Sequence, residues 1–134
     1  MTNGKEQGSM LPFMAALIFV GLVVTGLALD VALLAATYRE AAFSADVGAE
    51  AGAAELAPGG FGDEPKLDPE RAQATAIDAS VTARPRPGRT AVAVADTAQV
   101  CVSVTDVYEP RILGAIGVAP ETLTVEACAE PRRG

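Results

Sequence analysis

The feature that most constrains this chain is an unbroken run of 19 uncharged residues, Leu11 to Leu29, reading LPFMAALIFVGLVVTGLAL. A helix rises about 1.5 Å per residue, so the run spans roughly 28 Å, close to the ~30 Å hydrocarbon core of a bilayer. It predicts a transmembrane helix. Lys5 precedes the run, as in a secretory signal, but signal h-regions are usually about 7–15 residues long and end at a small-x-small cleavage site. Here apolar character continues past Asp30 through VALLAATY without a clear break, which favours a retained anchor over a cleaved leader.

Asp30 interrupts the apolar stretch. With the span beginning at Leu11, it falls at the outer headgroup boundary, where a carboxylate costs far less than the ~2.5–3.5 kcal/mol assigned to a helix centre. Two roles stay open: a residue marking the membrane exit, or a ligand for a cation on a neighbouring helix. The first ten residues carry only Lys5 and Glu6 besides the amine, a slight positive-inside signal. With so short a tail, the C-terminal part is expected outside, on a single-pass protein of the cell membrane. The chain holds 17 Asp and Glu against 10 Lys and Arg, a formal net charge of −7. Such an acidic ectodomain argues against nucleic acid as a partner and against docking on anionic headgroups.

Beyond the anchor, YREAAFSADVGAEAGAAEL is dominated by alanine and glutamate, strong helix formers. One helix is expected from near Leu11 to near Leu56, leaving the membrane and continuing into solvent. Phe43 and Val47, with Ala42, Ala45, Ala49 and Ala53, form a thin apolar stripe on its outer part. Gly59, Gly60 and the loop PGGFGDEPKLDPE end it. The division is therefore 1–10, a cytoplasmic tail; 11–37, the transmembrane helix; 38–57, its extracytoplasmic continuation; and 58–134, a small α+β domain.

Asp68-Pro69-Glu70 supplies an N-cap, a proline at the first helical position and a first-turn acid, predicting a second helix from Pro69 to Ala83. Arg84 to Gly88, RPRPG, stops it. The period then changes to two. TAVAVA (90–95) places Val92 and Val94 on one face, and QVCVSVT (99–105) does so for Val100, Val102 and Val104; burial is expected on these valine faces. A hairpin joins the two through Asp96, Thr97 and Ala98. TLTVEAC (122–128) buries Leu123, Val125 and Ala127. The fold class is thus α+β: a long N-terminal helix, a second helix and a three-stranded antiparallel sheet. The apolar connection DVYEPRILGAIGVAPE (106–121) calls for a short helix or a ledge over the sheet edge.

Cys101 and Cys128, the only cysteines, fall on the polar faces of their strands. A disulfide between neighbouring strands explains that placement better than two buried thiols. The 26 residues between them imply about 3.5 kcal/mol in the chain-entropy model. There is no histidine, so His-based triads and common zinc sites are excluded. PGGFG is not a phosphate loop, because it follows a helix and precedes no apolar strand. Pairs such as Asp46 and Glu50 share a helix face in solvent rather than forming an acid–base couple. No catalytic residue, metal, cofactor or small-molecule substrate is expected. Within the anchor, Gly21 and Thr25, and Ala28, Ala32 and Ala36, recur at the small-xxx-small spacing of associating membrane helices.

Three stretches resemble the TadE/TadG-like proteins of Flp (tight-adherence) pilus assembly, which are membrane-anchored, pseudopilin-like subunits. GSMLPFMAALIFVGLVVTGLALDVALL is similar to that family's N-terminal segment, whose Gly-x-Ala-x-Asp ending matches Gly26, Ala28 and Asp30. ADVGAEAGA (45–53) resembles an alanine-rich block in which Asp46 and Gly52 fall on matching positions. RILGAIGVAPETLTVEACAE resembles the C-terminal leucine-glycine turn and last strand. One departure bears on processing: counting from Ser9 after Gly8, the fifth residue is Phe13, where cleaved prepilins carry glutamate. The resemblance implies an uncleaved, non-enzymatic minor or accessory subunit of a pilus or related secretion filament, with other pilus or pseudopilin subunits, a membrane assembly platform and the lipid bilayer as partners. The alternative is a single-pass surface binding module unrelated to pili.

Overall fold

The computed structural model describes residues 10–59 and 65–132. The first helix, α1, runs Met10–Ala53 as 44 continuous residues. It is long and apolar enough to cross a membrane, and from Met10 to Leu29 its large side chains are exposed. Gly8 and Ser9, which bear on processing, and most of the GGFGDE loop lie outside the described residues.

The fold is α+β. After α1 come α2 (Pro69–Ala83), β1 (Thr90–Ala95), β2 (Val100–Tyr108), the short α3 (Ile112–Ala115) and β3 (Glu121–Ala129). The sheet has order β1-β2-β3, with both pairings antiparallel. α2 starts where the sequence requires: the Asp68 side chain accepts from the Arg71 amide at 3.3 Å, and Pro69 takes the first turn. The hairpin turns on Asp96, whose carboxylate accepts from the Ala98 and Gln99 amides at 2.7 and 2.8 Å. Those two amides hold its carboxyl below the usual range.

The core lies where the second half of α1 meets α2 and one sheet face. It is built from Ala41, Ala45, Ala49 and Ala53 of α1, Ala72 and Ala76 of α2, Ala93, Val100, Val102, Val104 and Val125 of the sheet, and Leu67. Small side chains make the contact by close approach. A Cβ on Gly52 would stand 2.8 Å from the Ala72 carbonyl oxygen and 2.9 Å from the Ala76 Cβ. One on Gly48 would meet Ser80 and stand 2.7 Å from the Ala76 carbonyl oxygen. α1 and α2 are therefore separated by little more than backbone.

Two expectations are corrected. The inward face of β1 is Ala91, Ala93 and Ala95, while Val92 and Val94 face solvent, Val94 being 71% exposed. On this sheet face the valines of the central strand β2 fill the core, and the edge strand β1 adds the smaller alanines. On α1 the buried stripe is Ala41, Ser44, Ala45, Gly48, Ala49 and Gly52. Phe43 is half exposed, with the Arg84 guanidinium 5.5 Å above its ring. The apolar connection forms the short helix expected of it, α3, which packs against α1.

Edge strand β1 is partly guarded: the Gln73 amide donates to the Ala93 carbonyl at 2.7 Å. Cys101 and Cys128 stand opposite each other in the β2–β3 register and are joined in a disulfide, with Cα atoms 4.0 Å apart.

Candidate functional site

Two polar clusters sit where α1 passes from its exposed apolar half into the domain. The lower one is centred on Asp30, which is 1% exposed. Its Oδ1 accepts from the amides of Arg111 at 2.9 Å and Ile112 at 3.2 Å; its Oδ2 accepts from Ile112 at 3.1 Å and Leu113 at 2.7 Å. The Asp30 carbonyl accepts from the Tyr108 hydroxyl at 2.7 Å. One turn below, Gly26 admits the Ile112 side chain; a Cβ there would be 2.6 Å from its Cγ2. These contacts satisfy the orphan amides that open α3 and fasten the 108–113 segment to α1. Burial, and then the neighbouring Asp30 charge, pushes the Tyr108 phenol above its ordinary range.

Asp30's partners are thus amides of its own chain, and no Lys or Arg pairs with it among the described residues. No period or spacing reveals such a bond, because every residue but proline offers the same amide.

The upper cluster went unread in the sequence. Asp106, 1% exposed, accepts from Arg89 Nε at 3.0 Å and Nη2 at 2.6 Å. Arg89 Nη1 donates to the Arg84 carbonyl at 2.7 Å and to Ser44 Oγ at 3.4 Å. Arg86 Nη1 donates to Thr37 Oγ1 at 3.2 Å and lies 3.6 Å from Asp106 and 3.8 Å from Glu40. The signal was available: Asp106 continues the inward parity of Val100, Val102 and Val104, and a carboxylate at a core position requires a cation. An open groove of about 910 Å³ lies between the clusters, lined by Leu33, Thr37, Arg86, Tyr108, Glu109 and Arg111.

The other sequence-derived residues are dispersed. Gly21, Thr25, Ala28, Ala32 and Ala36 are exposed on α1, and Thr25 Oγ1 bonds back to the Gly21 carbonyl at 2.8 Å. Asp46 is exposed, while Glu50 pairs with Arg132 at 2.7 Å. Gly52 is in the core and Gly26 under α3. Glu126 approaches the Cys101–Cys128 pair, but those sulfurs are bonded to each other and are not thiolate ligands. The arrangement as a whole is suited to holding a domain at a set height on a helix. Comparison with protein-family models, with characterised proteins and with solved structures gave no match.

Proposed function

We propose that this chain is a single-pass membrane protein whose C-terminal domain is extracytoplasmic and which serves, without catalysis, as a minor or accessory subunit of a Flp-type pilus or related secretion filament. The observation that carries the reading is α1 itself: one helix passes without a break from an exposed apolar half into a half that packs against a small α+β domain. Such a build gives a lipid-soluble stem and a rigid head, which suits lateral assembly of like subunits. The resemblance of the anchor, the ADVGAEAGA block and the last strand to TadE/TadG-like proteins supports the same choice. The small-residue positions Gly21, Thr25, Ala28, Ala32 and Ala36 remain open on the anchor for neighbouring helices.

Affinity purification of the tagged full chain from detergent-extracted membranes of its host tests the reading. Co-recovery of pilin-like subunits, a polytopic platform protein or a secretion ATPase is expected. Recovery of the chain without any of them overturns it. The second reading, an anchored binding module, is favoured by one observation: the outer sheet face is open and carries exposed Val92 and Val94.

A further inference from the structure

We infer that the segment Ile112–Pro120 is a second membrane-embedded element, a wedge seated in the outer leaflet beside the anchor. The inference rests on the reading of Leu11–Leu29 as a bilayer span. Gly26 lies within that span, three residues and so about 4.5 Å below Leu29. The Ile112 side chain fills the space over Gly26, and the amides of Arg111, Ile112 and Leu113 are held by Asp30. Whatever medium surrounds α1 at Gly26 therefore surrounds α3 as well.

The composition of the segment agrees with this depth. ILGAIGVAP is uncharged, and Arg111 and Glu121 bracket it. Its large side chains are unusually open for an ectodomain: Ile112 and Val118 are about half exposed and Ile116 is 77% exposed. In water this would be an apolar patch without a cover, whereas beside a lipid-facing helix it continues the lipid-facing surface.

Backbone bonding supplies an independent argument. Irregular chain is tolerated at membrane depth only where it is buried in protein or reaches water, so the wedge belongs at the upper margin of the leaflet, with the part nearest the anchor bonded within the protein. Asp30 accepts from the amides of Arg111, Ile112 and Leu113, and Ile116, Gly117 and Val118 donate to the Leu113 and Gly114 carbonyls at 3.0–3.1 Å. Burying a carboxylate at the foot of an ectodomain is then accounted for: it supplies the acceptors that water would supply elsewhere. Arg111, exposed at the upper end of the wedge, can keep its guanidinium in the headgroup layer.

The chain has no tryptophan, so single Trp probes report position directly. Full-length Ile116→Trp, Leu22→Trp and Val94→Trp variants are reconstituted in phosphatidylcholine vesicles with and without acyl-chain bromination. Emission of Ile116→Trp is expected to the blue of Val94→Trp, and it is expected to be quenched by brominated lipid as Leu22→Trp is. If Leu22→Trp is quenched while Ile116→Trp is not and stays open to aqueous acrylamide, the wedge is overturned and the anchor stands. If Ile116→Trp escapes lipid quenching yet is shielded from acrylamide, a second copy covers it and the lipid assignment fails. If Leu22→Trp itself is unquenched, the bilayer reading falls and the wedge with it.

Discussion

The two halves of α1 are one helix with opposite ways of using side-chain size. From Met10 to Leu29 it presents leucine, phenylalanine, valine and isoleucine outward; from Ala41 to Ala53 it presents alanine, glycine and serine to α2 and the sheet. Bulk exposed in this way would suit a fluid medium such as lipid, in which large side chains need no matched partner. Small side chains suit a fixed partner, because close backbone approach multiplies weak contacts across the whole interface. Side-chain volume along this helix is therefore a record of what surrounds it.

The largest blow to the packed half should come from Arg89→Ala. It leaves Asp106 buried without its partner, and breaking such a pair costs about 3–5 kcal/mol. Thermal unfolding of the detergent-solubilised protein should show a large fall in Tm for the domain; a fall no larger than that of an exposed-residue control would show that the pair is idle.

Next in size is a matched pair of substitutions on the same helix. Alanine is intrinsically better than glycine in a helix by about 1 kcal/mol. At Gly48 the added Cβ meets Ser80 and the Ala76 carbonyl, and overpacking of this kind costs about 1–3 kcal/mol. Gly48→Ala should lower the domain Tm, whereas Gly21→Ala, with nothing within 4 Å of its Cβ, should leave it unchanged or raise it. Equal responses would erase the contrast between the halves.

An effect of similar size is expected at the junction. Asp30→Asn keeps one acceptor oxygen and turns the other into a donor facing an amide, so one of the bonds to Arg111 or Leu113 is lost. Losing a charge-assisted bond and leaving an amide unpaired costs about 1–3 kcal/mol. Membrane level should be unchanged while hydrogen exchange at residues 111–113 accelerates. Unaltered exchange there would mean that Asp30 does not hold the segment.

What was legible in the sequence is what short-range pattern controls. The Pro69–Ala83 helix follows from its cap and its proline stop, and the strands follow from period two. The cysteine pairing follows from parity, since both residues share the face opposite Val102 and Val125. What escaped depends on distances between elements. Alternation in TAVAVA separates two faces without saying which is buried; that is set by the helices packed on the sheet. Asp30 announced itself by its setting, but its partners are backbone groups some 81–83 positions away.

The domain is attached to α1 at two levels, Gly26–Asp30 and Gly48–Gly52. From Asp30 to Gly52 the helix rises about 33 Å. A rod gripped at two stations along its length resists both bending and swivelling, so head and stem share one azimuth. The bearing from the small-residue side of the exposed half of α1 to the open sheet face is consequently constant. Any partner that turns the exposed half of α1 about its axis therefore sets, by the same turn, the compass direction in which Val92 and Val94 point.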